Sequence, residues 1–86
     1  MIVSAYTLVR VEHSKLEKIA AKMKKLRFVK EVTPVYGEYD IVVKTETNSI
    51  EELNFFIYNE LRKIPGLTAT TTMITLRQKQ TKNSST

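Results

Sequence analysis

The chain has 86 residues, of which 42% are hydrophobic, and it contains one histidine and no cysteine. This length suits one small domain with a single core. The absence of cysteine excludes disulfides and thiolate metal sites, and a single histidine argues against a metal centre. No apolar run approaches the length that crosses a bilayer, and the amino terminus has no basic region or cleavage-like site. We therefore expect a cytoplasmic protein without a membrane partner.

The positive charge is concentrated at the carboxyl terminus. The formal net charge is +5, and the segment from Arg77 onward contributes +3 of it through Arg77, Lys79 and Lys82, so the body of the chain carries only +2. A polar segment without an apolar anchor is typical of disorder. We divide the chain into a domain over residues 1–77 and a flexible polar tail over 78–86.

The first part of the chain predicts a strand followed by a helix. Residues 2–11 are rich in β-branched side chains without a helical period, which indicates a strand. Ser14 stands three residues before Glu17, which is a capping-box spacing and predicts a helix from about Lys15 to Leu26. The expected buried face of this helix is Leu16, Ile19, Ala20, Met23 and Leu26.

A hairpin is predicted next, because two β-rich runs over 28–36 and 39–47 flank Gly37 and Glu38. Glycine at the first central position favours a two-residue type II′ turn, since φ is positive there. This turn would place Asp40 inside the following strand, although aspartate is depleted from strands. The position of Asp40 therefore raises the question of whether the turn also carries a binding site.

The second half repeats the helix and strand. Ser49 and Glu52 have the capping-box spacing and predict a helix that ends at Pro65-Gly66. The threonine-rich run over 67–76 predicts a last strand. The expected buried face of the second helix is Ile50, Leu53, Ile57, Leu61 and Ile64.

The element order β-α-β-β-α-β predicts an α+β fold, a ferredoxin-like plait with a four-stranded antiparallel sheet. Strands 1 and 3 are expected at its centre, parallel to each other, with helical crossovers on one face. Strand 2 is expected at an edge, where the missing amide hydrogen of Pro34 is tolerated.

The first strand is apolar on both of its sides. Since two helices cover only one face of a sheet, a second copy of the chain is the simplest cover for the other face. We therefore expect a homodimer that pairs through the sheet face. The two apolar sides are Val3, Ala5, Val9 and Val11 on one side and Ile2, Tyr6 and Leu8 on the other.

The sequence offers few groups for catalysis, so the chain is not expected to be an enzyme and no catalytic residue is assigned. A small plait-type enzyme would have to depend on His13, which we interpret as a solvated residue flanking the first helix. RNA recognition motifs share the element order, but they carry base-stacking aromatics on strand 3. Here that strand lacks the second and third aromatics and opens with Asp40, which would repel phosphate, so RNA binding is disfavoured.

Two segments, VTPVYGEYDIVVKTET and IPGLTATTTMITL, resemble the effector domain of the leucine-responsive regulatory protein and asparagine regulator (Lrp/AsnC) family of transcription factors. This domain is also called the RAM domain, for regulation of amino-acid metabolism. The similarity spans residues 2–76, with Leu67 in place of the usual valine. The residues that match in type and order are Gly37, Tyr39, Asp40, Pro65, Gly66, Thr70 and Thr72.

The resemblance implies a role in sensing amino acids. The family's helix-turn-helix has no counterpart ahead of the first strand, so we expect a stand-alone effector domain without direct, specific DNA binding. The family forms dimers that join into rings, often octamers, with an amino acid bound where dimers meet and no other cofactor or metal. Such a chain would modulate transcription or metabolism through its assembly. The alternative is a purely structural module that forms mixed oligomers with full-length Lrp/AsnC regulators and binds no small molecule.

Five residues are predicted to bind the ligand: Gly37, Tyr39, Asp40, Thr70 and Thr72. A carboxylate such as Asp40 can pair with an ammonium group, and amides around Gly37 can approach a ligand carboxylate without interference from a Cβ. Thr70 and Thr72 point the same way from one strand and offer hydroxyls. A simpler interpretation also stands, because threonine suits strands, glycine suits turns, and Asp40 could pair with a neighbouring lysine.

Overall fold

The computed structural model describes residues 2–76 and confirms the α+β plait. The predicted tail over 78–86 lies outside the described residues. Within residues 2–76, no helix is long and apolar enough to span a bilayer. The elements in chain order are β1 (Val3–Val11), a 3-10 turn (His13–Lys15), α1 (Leu16–Lys24), β2 (Val29–Pro34), β3 (Ile41–Thr47), α2 (Ile50–Phe56), a π-helical turn (Ile57–Leu61) and β4 (Leu67–Ile74).

The four strands form one sheet in the order β2-β3-β1-β4, and all neighbours are antiparallel. The expected parallel pairing of the first and third strands is wrong, because Val3 faces Thr47 while Val9 faces Ile41. Each helical crossover returns the chain to a strand two places away, so an antiparallel strand separates the two parallel ones. β2 lies at an edge, as the proline in it predicts.

Both helices pack on one face of the sheet. The largest fully buried side chain is Phe56 of α2, whose ring meets Phe28 edge to face with centroids 5.5 Å apart. From β1, the odd-numbered residues point into this core, which confirms the predicted inner side and adds the fully buried Thr7 to it. The even-numbered residues of β1 therefore point to the opposite side of the sheet.

We call that opposite side the uncovered face, because no element of the described residues packs on it. The strand register assigns its members from three neighbouring strands. They are Ser4, Tyr6, Leu8 and Arg10 of β1, Val42, Lys44 and Glu46 of β3, and Ala69, Thr71 and Met73 of β4.

The capping box predicted for the second helix is present. The amide of Glu52 donates to Ser49 Oγ at 3.0 Å, and the amide of Asn48 donates to Glu52 Oε1 at 2.8 Å. The first bond satisfies an amide that the first turn of a helix leaves without a partner, and the second ties the residue before the N-cap to the helix. The sequence signal therefore located the start of α2 correctly.

The capping box predicted for the first helix is absent. Ser14 lies in the 3-10 turn and makes no capping hydrogen bond, and α1 begins at Leu16. A backbone bond from the amide of Lys15 to the carbonyl of Glu12, 2.9 Å long, closes the turn instead. The helix is accordingly shorter at both ends than predicted, although its predicted apolar face does pack on the core.

The second helix widens half-way along its length. Residues Ile57–Leu61 form a π-helical turn in which the amide of Arg62 donates to the carbonyl of Ile57 at 3.0 Å. The inserted turn rotates the helix relative to a regular 3.6-residue period. Ahead of this turn, the predicted buried face was wrong at Ile50, which is 49% exposed, and it missed Phe56, which is fully buried three residues after the buried Leu53.

The chain does not make the predicted two-residue turn between β2 and β3. The last paired residues are Pro34 and Ile41, so residues 35–40 form a longer loop. The amide of Val35 donates to the carbonyl of Asp40 at 2.9 Å and closes it. Gly37 has a φ of +150°, far from the value of about +60° that a type II′ turn requires. Asp40 therefore precedes β3 instead of lying inside it.

Gly66, before β4, lies at a φ of +101°, and a Cβ there would be 2.8 Å from Ile19 Cδ1. Ile19 is only 2% exposed, so it has little room to move. We expect Gly66→Ala to lower the free energy of unfolding by about 1 kcal/mol more than Gly37→Ala. Gly37→Ala is the matched control, because its φ is also positive but nothing lies within 4 Å of the added carbon. Urea unfolding of both variants measures the difference, and equal losses would show that the contact with Ile19 costs nothing.

Candidate functional site

The 35–40 loop is attached to the end of β1 through Asp40. The amide of Asp40 donates to the carbonyl of Val9 at 2.9 Å, and Asp40 Oδ2 accepts from the amide of Val11, also at 2.9 Å. The side chain thus satisfies a strand amide that has lost its ladder partner. The other carboxylate oxygen, Oδ1, accepts no hydrogen bond from the residues that the structure describes.

A cavity of about 450 Å³, which we call the loop cavity, lies between this loop and the segment after β1. One wall carries the half-buried carboxylate of Asp40, and another carries His13. His13 is exposed, as the sequence predicts, but its place in the wall of a cavity was not predicted, because only the attachment of the loop to the end of β1 brings the two segments together. The lining residues are His13, Leu16, Val35, Tyr36, Gly37 and Asp40.

Tyr39 points away from the loop cavity and lies on the uncovered face. Its hydroxyl is 3.3 Å from Thr71 Oγ1, and the Arg10 guanidinium is 6.0 Å from the centroid of its ring. Arg10 also donates through Nε to the carbonyl of Glu38 at 2.8 Å. The loop is therefore held on the uncovered face as well as at the end of β1.

Thr70 and Thr72 line a second cavity of about 500 Å³, which we call the α2–β4 groove. Both side chains point toward the helices, because they pair with Val9 and Thr7 of the inner row of β1. Thr72 Oγ1 lies 3.0 Å from Thr7 Oγ1. The Arg62 side chain is also in the wall of the groove, with its guanidinium 5.0 Å from the centroid of the Tyr58 ring. The remaining lining residues are Leu53, Asn54, Ile57, Ala69 and Ile74.

The five predicted ligand residues are thus found in three places in one chain. Gly37 and Asp40 line the loop cavity, Thr70 and Thr72 line the α2–β4 groove, and Tyr39 lies on the uncovered face. β1 stands between the strands that carry the two cavities. A small ligand can therefore contact both pairs of residues only if two chains contribute to its site. The sequence-based prediction likewise placed the ligand where dimers meet.

The hydroxyl pair between Thr7 and Thr72 can be tested by a double-mutant cycle. Thr7 is 0% exposed, so Thr72→Val leaves a buried hydroxyl without its partner and should lower the free energy of unfolding by about 1 to 2 kcal/mol. The double variant Thr7→Val/Thr72→Val should return most of this loss, because both polar groups are then replaced by groups of the same shape. Thr7→Val completes the cycle, Thr70→Val is the control, and urea unfolding measures wild type and the four variants. If Thr72→Val unfolds like wild type, the hydroxyl pair does not contribute to stability.

The structure is that of a ferredoxin-like plait with a small cavity beside the 35–40 loop, which carries two acidic residues. The chain matches the model of the Lrp/AsnC ligand binding domain over residues 4–84. It therefore belongs to the Lrp/AsnC ligand-binding domain family, and the predicted resemblance is confirmed. This family is one of transcription regulators.

Among curated relatives, the HTH-type transcriptional regulator FL11 of Pyrococcus horikoshii is 40% identical over 73 residues. The match covers 85% of this chain and 48% of the regulator. The chain thus spans about half the length of the curated relatives it matches.

Solved structures confirm the fold. FFRP-DM1 is 38% identical, with a TM-score of 0.82, and the match covers 86% of this chain and 99% of that chain. A complex of the transcriptional regulator NMB0573 with L-Met, from Neisseria meningitidis, has a TM-score of 0.80 at 19% identity, covering 96% of this chain and 56% of that one. At that identity the likeness establishes the fold alone.

Proposed function

We propose that this chain binds a free amino acid through the 35–40 loop and acts as an amino-acid-sensing assembly domain of Lrp/AsnC-type regulation. The observation that supports this proposal is the hydrogen bonding of the Asp40 carboxylate in the wall of the loop cavity. Oδ2 is fixed by the amide of Val11, while Oδ1 accepts no hydrogen bond from residues 2–76. A carboxylate held in place with one oxygen free suits an ammonium group, which forms strong charge-assisted hydrogen bonds.

The groups required to hold the rest of an amino acid lie in the α2–β4 groove. Arg62 offers a guanidinium for a carboxylate, and Thr70 offers a hydroxyl. We infer that the loop cavity of one chain and the groove of a neighbouring chain form the two halves of one site. Each cavity is open, and a free amino acid is small compared with either volume, which fits a site completed by assembly.

The uncovered face supports pairing of two chains as the first step of assembly. Ile2 and Met73 are each 48% exposed on this side of the sheet, and Tyr6 and Leu8 are half-buried between them. An apolar sheet face of this kind gains free energy when a second copy covers it. Pairing through this face leaves the loop cavity and the groove available for contacts between dimers, and hence for a ring.

Titration calorimetry of the purified chain against the common amino acids tests the proposal. L-Methionine is the first to try, because NMB0573 was solved with it. We expect one amino acid, or a chemically similar group of them, to bind with a measurable heat and to increase the mass of the assembly. If no amino acid binds to the oligomer, the proposed function is wrong.

A second candidate is a structural module that forms mixed oligomers with full-length Lrp/AsnC regulators and binds no small molecule. The observation that favours it is the 40% identity to a regulator about twice as long, because two chains with similar pairing faces can form mixed pairs. Co-purification with such a regulator, combined with no calorimetric response to amino acids, would select this candidate.

A further inference from the structure

Three consecutive residues of β1 hold the 35–40 loop from two sides. The carbonyl of Val9 and the amide of Val11 bind Asp40, each at 2.9 Å, where the loop joins β3. Between them, Arg10 reaches across the uncovered face and donates to the carbonyl of Glu38 at 2.8 Å. The contacts of Val9 and Val11 fix the base of the loop, whereas Arg10 fixes its tip.

We propose that Arg10 is a positioning residue that ties the tip of the 35–40 loop to the face through which two chains pair. The ligand part of this inference rests on the proposed function, but the attachment of the loop to the face does not. The Arg10 guanidinium also lies 6.0 Å from the centroid of the Tyr39 ring, whose hydroxyl is 3.3 Å from Thr71 Oγ1 of β4. The loop tip, β1 and β4 are thus connected across the uncovered face.

Pairing changes the strength of this connection. In one chain Arg10 is exposed, so water competes for the carbonyl of Glu38 and the bond contributes little. When a second copy covers the face, water is excluded and a charge-assisted hydrogen bond becomes stronger. Pairing therefore restrains the loop in the geometry that presents Asp40 to the loop cavity. By thermodynamic reciprocity, a ligand that requires this geometry also favours the paired chains.

Two variants and one control separate this role from a general effect on pairing. Arg10→Ala removes the contacts with Glu38 and Tyr39, while Arg10→Lys keeps a cation and a donor. Lys44→Ala is the control, because Lys44 also carries a cation on the uncovered face, 6.0 Å from the Tyr6 ring, but has no contact with the loop.

Amide hydrogen exchange of the 35–40 loop is the readout that does not depend on any ligand. In wild type, exchange of the 35–40 loop amides should slow as protein concentration rises through the pairing transition. In Arg10→Ala, loop exchange should be about fivefold faster in the paired state and should no longer depend on protein concentration. In Arg10→Lys, at least half of the lost protection should return, measured on the logarithm of the exchange rate. Lys44→Ala should leave loop exchange unchanged.

Calorimetry with the amino acid that wild type binds is the second readout. We expect Arg10→Ala to raise its Kd about fivefold without changing the midpoint of unfolding. If wild type binds no amino acid, the proposed function fails, while the exchange measurement still decides the role of Arg10. Loop exchange that is the same in Arg10→Ala and wild type, or altered equally by Lys44→Ala, overturns the inference.

Discussion

Asp40→Asn is expected to weaken amino-acid binding about tenfold to a hundredfold while leaving the free energy of unfolding within about 0.5 kcal/mol of wild type. The asparagine oxygen can still accept from the amide of Val11, so the attachment of the 35–40 loop to β1 survives. The negative charge that we propose to pair with a ligand ammonium is lost. The variant therefore isolates the charge of Asp40 from its structural hydrogen bond.

Asp40→Ala completes this experiment, because it removes both the charge and the acceptor. We expect the same loss of affinity together with a decrease of about 1 kcal/mol in the free energy of unfolding, since the amide of Val11 is left without its partner. Titration calorimetry and urea unfolding of the two variants provide the numbers. If Asp40→Asn binds the amino acid as tightly as wild type, the carboxylate does not hold the ligand and its role is to end the strand.

Leu8→Glu is expected to abolish pairing. Leu8 lies at the centre of the uncovered face, between Val42 of β3 and Thr71 of β4. A carboxylate there would have to lose its water when a second copy covers the face, and this cost exceeds what a small apolar interface gains. Leu8 is only half-buried in the single chain and lies outside the core, so the fold should persist.

The control for this prediction is Ile50→Glu, which introduces the same charge at a 49% exposed apolar residue of α2, away from the uncovered face. Light scattering at micromolar concentration should give a single-chain mass near 9.9 kDa for Leu8→Glu and a larger mass for Ile50→Glu and wild type. A Leu8→Glu protein that keeps the mass of wild type would place the pairing contact on another surface.

The sequence was sufficient for the fold where local signals act directly. The β-branched runs located the four strands, and the Ser49 capping box located α2 because the same side-chain bonds form in the structure. The alternation along β1 separated an inner row from an outer one, which the burial of its side chains confirms. The antiparallel arrangement of β1 and β3 depends on the order of all four strands. The prediction considered only these two strands and was wrong.

The details that the sequence did not reveal depend on contacts between distant segments. Gly37 and Glu38 suit a two-residue turn, but the Asp40 side chain accepts a hydrogen bond from the amide of Val11. β3 accordingly starts only at Ile41. The π-helical turn at Ile57–Leu61 was not predicted either, because the spacing of Leu53, Ile57 and Leu61 equally suits a regular helix.

The same limit applies to the candidate site. Gly37 and Asp40 were predicted together and do line one cavity, because they are neighbours in the chain. The contributions of His13 and Arg10 were missed, since only the attachment of the loop to β1 brings these residues to it. Thr70 and Thr72 can contact the same ligand only through a second chain, so their role in binding stays a prediction.

Native mass spectrometry tests in one measurement whether this chain assembles and whether the assembly holds an amino acid through the 35–40 loop. The purified wild-type chain, incubated with a mixture of the common amino acids, should give an assembly whose mass is a multiple of the dimer and which retains an amino acid. Asp40→Asn should give an assembly without it. A wild-type spectrum that contains only the 9.9 kDa chain, or an assembly that retains no amino acid, would contradict the proposed function.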